Sequence, residues 1–198
     1  MIPAAKPLIG DDERAAVDRV LRSGMLAQGP EVAAFEEEFS KFVGGRHCVA
    51  MNSGTSALHL GFIAGGIKPG DEVIVPSFSF AATANSVVLA GGVPVFADID
   101  PKTFNIDPNH VEKLITKKTK AIMPVHLYGH IAPMNEINAI ADKHNLIVFE
   151  DAAQGHLASL DGKNSGEFSR VASFSFYPTK NMTSGEGGMC VTDSPEIA

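Results

Sequence analysis

The stretch His47–Ala64, HCVAMNSGTSALHLGFIA, decides the fold class. It opens with five apolar-rich residues of strand character, His47–Met51, passes through the small polar turn Asn52–Ser56, and continues as the helical run Ala57–Ala64. The same unit recurs along the chain. Strands are expected at Glu72–Val75, Val93–Ala97, Ala121–Val125 and Leu146–Phe149. Helices are expected at Ala81–Ala90, Asp107–Lys117 and Pro133–His144, each strand apolar on both faces. That alternation predicts an α/β protein with a mainly parallel sheet covered by helices. Before it lie two further helices. Asp11–Arg22 carries an acidic first turn and apolar Ala15, Val17, Val20 and Leu21, with Gly24 as its stop. Glu31–Phe42 places Phe35, Phe39 and Phe42 on one stripe and is read as core packing.

Composition narrows the function classes. The 198 residues are 20% charged and 44% hydrophobic, as expected of one globular domain. A net charge of −7 argues against a nucleic-acid or anionic-membrane surface. Cys48 and Cys190 lie in apolar runs and read as buried thiols of a reducing compartment. No run has membrane-spanning length, and MIPAAKPLIGDDE lacks the order of a signal peptide, so a cytoplasmic location is expected. The last residues, Ser194–Ala198, follow the strand-like Met189–Thr192 where another helix is due, and a fragment is the expectation.

Parallel sheets bind ligands beyond the carboxyl ends of their strands. Five such exits carry chemistry: Asn52–Ser56, Ser77–Phe80, His126–Tyr128, Glu150–Gln154 and the loop that holds Lys180. Lys180 lies in SFSFYPTKNMTSGEGG (Ser173–Gly188), where a strand-like run breaks at Pro178 and yields to Ser, Thr and Gly. Such a lysine is either a solvated surface charge or, if desolvated and neutral, an amine that reacts with carbonyls. The Asn52–Ser56 turn is either a phosphate cradle, with free N–H groups and the hydroxyls of Thr55 and Ser56, or simply a helix cap. Asp151, at the end of a very apolar strand, is a carboxylate in need of a cation, an N-cap, or one half of a surface ion pair. A reactive amine, a fixed carboxylate, a phosphate cradle and the ring of Phe80 together match pyridoxal 5′-phosphate. His126 and His130 are four apart but in a loop, without partners at ligand spacing, so no metal site is expected. His156 is close in sequence to Gln154 and receives no role.

The segments NSGTSALHL (from Asn52), DEVIVPSFSFAATANSV (from Asp71), PVFADID (from Pro94), PVHLYGH (from Pro124), EDAAQGH (from Glu150) and SFSFYPTKNMTSGEGG together resemble the DegT/DnrJ/EryC1/StrS family of sugar aminotransferases. The resemblance implies the fold-type-I architecture of aspartate aminotransferase, with residues 1–198 forming the N-terminal part of the cofactor-binding large domain and the small C-terminal domain missing. It also implies that Lys180 bonds covalently to the cofactor, Asp151 binds the pyridinium nitrogen and Gln154 contacts the 3′-oxygen side of the ring. Phe80 would stack on that ring, and Gly54, Thr55 and Ser175 would hold the phosphate. The implied partners are glutamate, a nucleotide-linked keto sugar and a second copy of the chain, forming a homodimer with the active site at its interface. Some members carry histidine in place of the lysine and are dehydratases. The alternatives are such a dehydratase, or a non-catalytic regulatory or nucleotide-sugar-binding protein on the same fold.

Overall fold

The structure is a computed structural model and describes residues 5–198. Met1–Ala4, the start of the segment read above as lacking a signal peptide, lie outside the described residues. In chain order the elements are α1 (Asp11–Ser23), α2 (Pro30–Ser40), β1 (His47–Met51), α3 (Gly54–Ala64), β2 (Glu72–Pro76), α4 (Ala82–Leu89), β3 (Val93–Ala97) and α5 (Pro108–Leu114). There follow β4 (Thr119–Ile122), α6 (Met134–His144), β5 (Ile147–Asp151), the short hairpin β6 (Ser159–Leu160) and β7 (Lys163–Asn164), then β8 (Val171–Ser175) and β9 (Gly188–Thr192).

Seven strands form one sheet in the order β1-β9-β8-β5-β4-β2-β3. β9 runs antiparallel to both of its neighbours, and every other pairing is parallel. The carboxyl ends of β1, β2, β4, β5 and β8 therefore share one edge. The reversed β9 brings its first residue, Gly188, to that same edge.

Two-residue periodicity sorts the core. Val73, Val75 and Phe149 pack with Ala57, Leu58 and Phe62 of α3, and with Val87 of α4. Their neighbours Ile74 and Val148 turn to the other face, against Val111 of α5 and Ile137 and Ala141 of α6. Phe174, Phe176, Met189 and Val191 pack with Phe39 of α2 on a third cluster, where the rings of Phe39 and Phe174 meet edge-on at 5.0 Å.

Several boundaries differ from the expectations. α3 begins at Gly54 rather than Ala57, so Gly54 and Thr55 occupy its first turn. β5 extends through Asp151, because Phe149, Glu150 and Asp151 keep pairing with β8. α5 stops at Leu114, three residues early, with Ile115 already extended. Phe42 is not core: it is 47% exposed, since α2 ends at Ser40 and the stripe ends with it. α1 buries none of its residues, although Gly24 does close it in the left-handed conformation (φ 72°).

Candidate active site

The shared edge of the sheet opens into a cavity of about 300 Å³. Its lining includes Gly54, Thr55, Phe80, Asp151, Gln154, Ser175 and Lys180, so all seven residues named above meet at one place.

Asp151 continues the β5 alternation from Phe149 and so points to the α3/α4 side. It is 4% exposed. The sequence reading asked for a cation. Among the described residues the carboxylate forms no salt bridge, and hydrogen-bond donors hold it instead. Thr83 Oγ1 donates to Oδ2 at 2.8 Å and the backbone N–H of Ala153 donates to Oδ1 at 3.1 Å. Burial drives the Asp151 pKa up; Thr83, Ala153 and the charge of Lys180 oppose this but do not cancel it.

Lys180 follows β8, half-buried, on a loop fastened beneath it. Its own N–H closes a turn onto Tyr177 O at 2.9 Å, with Pro178 inside that turn. Thr183 Oγ1 and Ser184 N–H both return to Phe176 O, at 2.9 and 3.1 Å. Its amine takes no salt bridge among the described residues. It is thus free to bond to something in the cavity.

The helix-cap reading of the Asn52–Ser56 turn holds, and it is compatible with the other. Ser53 is the N-cap of α3, its hydroxyl accepting from Ser56 N–H at 3.1 Å, and Ser53 O accepts from Ala57 N–H. The N–H groups of Gly54 and Thr55 are left without intrahelical partners, as first-turn donors are, beside the hydroxyl of Ser175. Close packing builds this corner. A Cβ on Gly54 would lie 2.6 Å from the Cβ of Ser175, and one on Gly188 would collide with the backbone of Ser53. Oxygens of a phosphate fit such a corner.

Gln154 is oriented by chemistry. The backbone N–H of Tyr128 donates to Oε1 at 2.6 Å, which leaves the Nε2 donors for the cavity. Phe80 stands at the mouth, 73% exposed, a ring without a stacking partner among the described residues. An amine, a carboxylate, an amide donor, an anion corner and a flat apolar lid are the groups a phosphorylated pyridine aldehyde requires, and the residues fit it.

The sequence reading missed several residues here. Thr83 is one; its signal was a hydroxyl in the first turn of the helix that follows the Ser77–Phe80 strand exit. Ser79 lines the cavity and hydrogen-bonds Thr83 at 2.8 Å. Tyr177 and Glu186 line it as well. Glu150 and His126 are a further pair. Glu150 faces the side opposite Asp151 and is buried against the His126 ring, Nε2 to Oε2 at 2.8 Å. His126 Nδ1 accepts from Ala132 N–H, so Nε2 carries the proton given to Glu150. Gly166 N–H, Phe168 N–H and Ser169 Oγ supply three more donors to the same carboxylate. His126, read as a loop residue, is a buried prop of the β5 end. His156 lies on the α2 side of the sheet, its ring 5.4 Å from Phe174 and 5.5 Å from Phe176, away from the cavity lining. Among the described residues no group of three His, Cys, Asp or Glu is gathered for a metal ion.

The sheet order, the reversed strand and the lysine–carboxylate cavity define a fold-type-I large-domain architecture. The chain belongs to the DegT/DnrJ/EryC1/StrS aminotransferase family, whose model matches residues 7–198. It is 47% identical over 197 residues to the spore coat polysaccharide biosynthesis protein SpsC of Bacillus subtilis, covering 100% of this chain and 51% of that one. It is 46% identical over 198 residues to GDP-perosamine synthase of Caulobacter vibrioides, covering 100% and 53%. Among solved structures, NtdA of Bacillus subtilis with bound PMP superposes with a TM-score of 0.89 at 39% identity, covering 100% of this chain and 47% of that one. The chain therefore spans about half the length of the curated relatives it matches. No helix among the described residues is long and apolar enough to cross a membrane.

Proposed function

We propose that this chain is the N-terminal, cofactor-binding part of an enzyme that uses pyridoxal 5′-phosphate to move an amino group from glutamate to a keto group of a nucleotide-linked sugar. The observation that carries the reading is that Lys180 and Asp151, 29 positions apart in sequence, line one cavity together with the first turn of α3. When bound, the cofactor would supply an aldehyde that carries the amino group and a ring that takes up electron density.

Each residue then has a task. Lys180 Nζ would bond to the aldehyde and, once displaced by the donor amine, move a proton on and off the reacting carbon as a neutral base. Asp151 would accept a hydrogen bond from the protonated ring nitrogen and keep that proton in place. Gln154 Nε2 would donate to the ring's 3′-oxygen. Gly54 and Thr55 N–H groups with Ser175 Oγ would bind the phosphate, and Phe80 would cover the ring and exclude water. Glutamate and sugar would use the same site in turn, so ping-pong kinetics are expected. A homodimer would place a second copy near the open mouth at Phe80. The retained Lys180 favours transamination over dehydration.

The test is to incubate the whole protein with glutamate and a panel of keto-sugar nucleotides and to follow 2-oxoglutarate. Release that depends on the keto sugar supports the proposal. Sugar consumption without 2-oxoglutarate points to dehydration, and sugar binding without a cofactor absorbance band points to a regulator; either outcome overturns it.

A further inference from the structure

Thr83 is 1% exposed, in the first turn of α4. Its hydroxyl lies 2.8 Å from Asp151 Oδ2 and 2.8 Å from Ser79 Oγ. Chemistry sets the direction of this chain. An ionised carboxylate only accepts, so Thr83 donates to Asp151; its one hydrogen is then committed, and Ser79 must donate to Thr83. Threonine in a helix has few χ1 states, so the donor is ordered before anything binds. Ala153 N–H holds the other oxygen, and the carboxylate plane is set from both ends.

We propose that Thr83 is a positioning residue that keeps the Asp151 carboxylate charged and turned toward the cavity for the ring nitrogen of the cofactor. This rests on the cofactor reading given above. Burial alone pushes Asp151 toward its neutral form, and the Thr83 hydrogen bond is foremost among the influences that oppose it. Among the described residues the other charged and titratable groups around Asp151 are Lys180, Glu186 and Tyr177, which line the same cavity, and His126, whose backbone N–H donates to Asp151 O and whose ring is engaged by Glu150. Removing the hydroxyl leaves all of these in place. The carboxyl group then takes up a proton at higher pH, and a neutral Asp151 has lost its attraction for a protonated ring nitrogen. The damage therefore grows toward acid.

The test measures the dissociation constant of pyridoxal phosphate by absorbance, at pH 6 and pH 8.5, on the whole protein stripped of cofactor. Thr83→Val keeps the shape and removes the donor; Thr83→Ser keeps the donor. Each further pKa unit of rise in the valine variant would weaken binding at pH 6 by at most about tenfold. The loss at pH 8.5 should be clearly smaller, and the serine variant should match the wild type at both pH values. If the valine variant shows no cooperative thermal transition, Thr83→Ala takes its place with the same expectations. A loss of equal size at both pH values, or one that serine does not rescue, overturns the proposal, because a packing role would produce it. So does a hydroxyl-free variant that binds like the wild type. A wild type that binds no pyridoxal phosphate overturns the cofactor reading itself, which keeps the two failures distinct.

Discussion

Gly54 and Ser175, on α3 and β8, are packed so closely that a side chain at position 54 has nowhere to go: its Cβ would stand 2.6 Å from the serine Cβ and 3.1 Å from the serine Cα. The obstruction is the Cα and the Cβ fixed to it on an interior strand, which cannot swing aside as the tip of a flexible side chain would. Gly54→Ala should destabilise the protein by about 1–3 kcal/mol through overpacking. It should also weaken binding of phosphate-bearing ligands, because α3 is pushed off the corner that its first turn forms. Thermal denaturation alongside titration with pyridoxal phosphate checks both effects; an unshifted melting temperature would refute the first.

Lys180→Ala should abolish the borohydride-trappable bond to pyridoxal phosphate and leave the melting temperature of the cofactor-free protein nearly unchanged. The lysine is half-buried and forms no salt bridge among the described residues, so its removal breaks little. Mass spectrometry of the reduced protein reads the label. A label on any other lysine of the wild type contradicts the assignment.

Asp151→Asn should trade function for stability. The folded protein holds this carboxyl's pKa above its ordinary value of 3.8, so between that value and the raised one the native state binds more protons than the unfolded state, and stability falls as pH rises. At pH 7 the charge is a cost, and asparagine removes it. The variant should melt higher than wild type at pH 7, with the gain shrinking toward pH 4. Its turnover in the whole enzyme should drop roughly 10²- to 10³-fold, in keeping with a loss of about 3–4 kcal/mol at the barrier. Near-normal turnover would rule out a role for Asp151 at the ring nitrogen.

Glu150→Gln should show the opposite pH dependence one residue away. Burial opposes ionisation of Glu150, but His126, Ser169 and Gly166 more than offset it and hold the pKa below 4.5. A depressed carboxyl pKa contributes stability that is present above the ordinary value and lost as pH falls through the folded one. The variant should lose about 1–3 kcal/mol at pH 7, as when buried donors lose the acceptor they were paired with. The gap to wild type should narrow as pH falls below 4.5. Denaturant unfolding at pH 7 and pH 3.5 provides the comparison.

His156→Leu should stabilise the protein in acid. The ring is 7% exposed and, among the described residues, neither nitrogen reaches a partner in good hydrogen-bond geometry; burial pushes its pKa down to about 4. Between pH 6.5 and about 4 the unfolded chain takes up a proton that the folded one refuses, so stability drains away as pH falls through that window. Leucine has no proton to take up. Melting curves of the two proteins should lie closer at pH 7.5 than at pH 5, and equal spacing at the two pH values would contradict this account.

Much of the site was legible in advance because its chemistry is carried by residue types that stand out locally. Lys180 stood in a loop of small residues after a strand, and Asp151 closed an apolar run. Thr83 did not stand out, since a threonine beside Asn85 and Ser86 in a short helix has many ordinary explanations; it gains its meaning from a carboxylate 68 positions away. Glu150 was passed over for its neighbour because, within a strand, adjacent residues look equivalent until it is known which face holds the cavity. His126 and His130 are four apart in a loop and no joint site was expected of them; the partner of His126 is Glu150, 24 positions away.

The sequence by itself determined the elements and the chemical inventory. Strand–turn–helix repetition follows from apolar periodicity and turn residues, which act over a few positions, and so an α/β sheet with ligand-bearing strand exits could be read directly. Tertiary structure decided the companionship of the side chains. Strand order placed β8 beside β5, so that the Lys180 loop and Asp151 share a cavity. The reversal of β9 carried Gly188 to the α3 cap. The pleat sent Asp151 to a hydroxyl donor and Glu150 to a histidine on the other side. These pairings depend on contacts between segments distant in the chain, and the burial that shifts each pKa exists only once the sheet has closed around them.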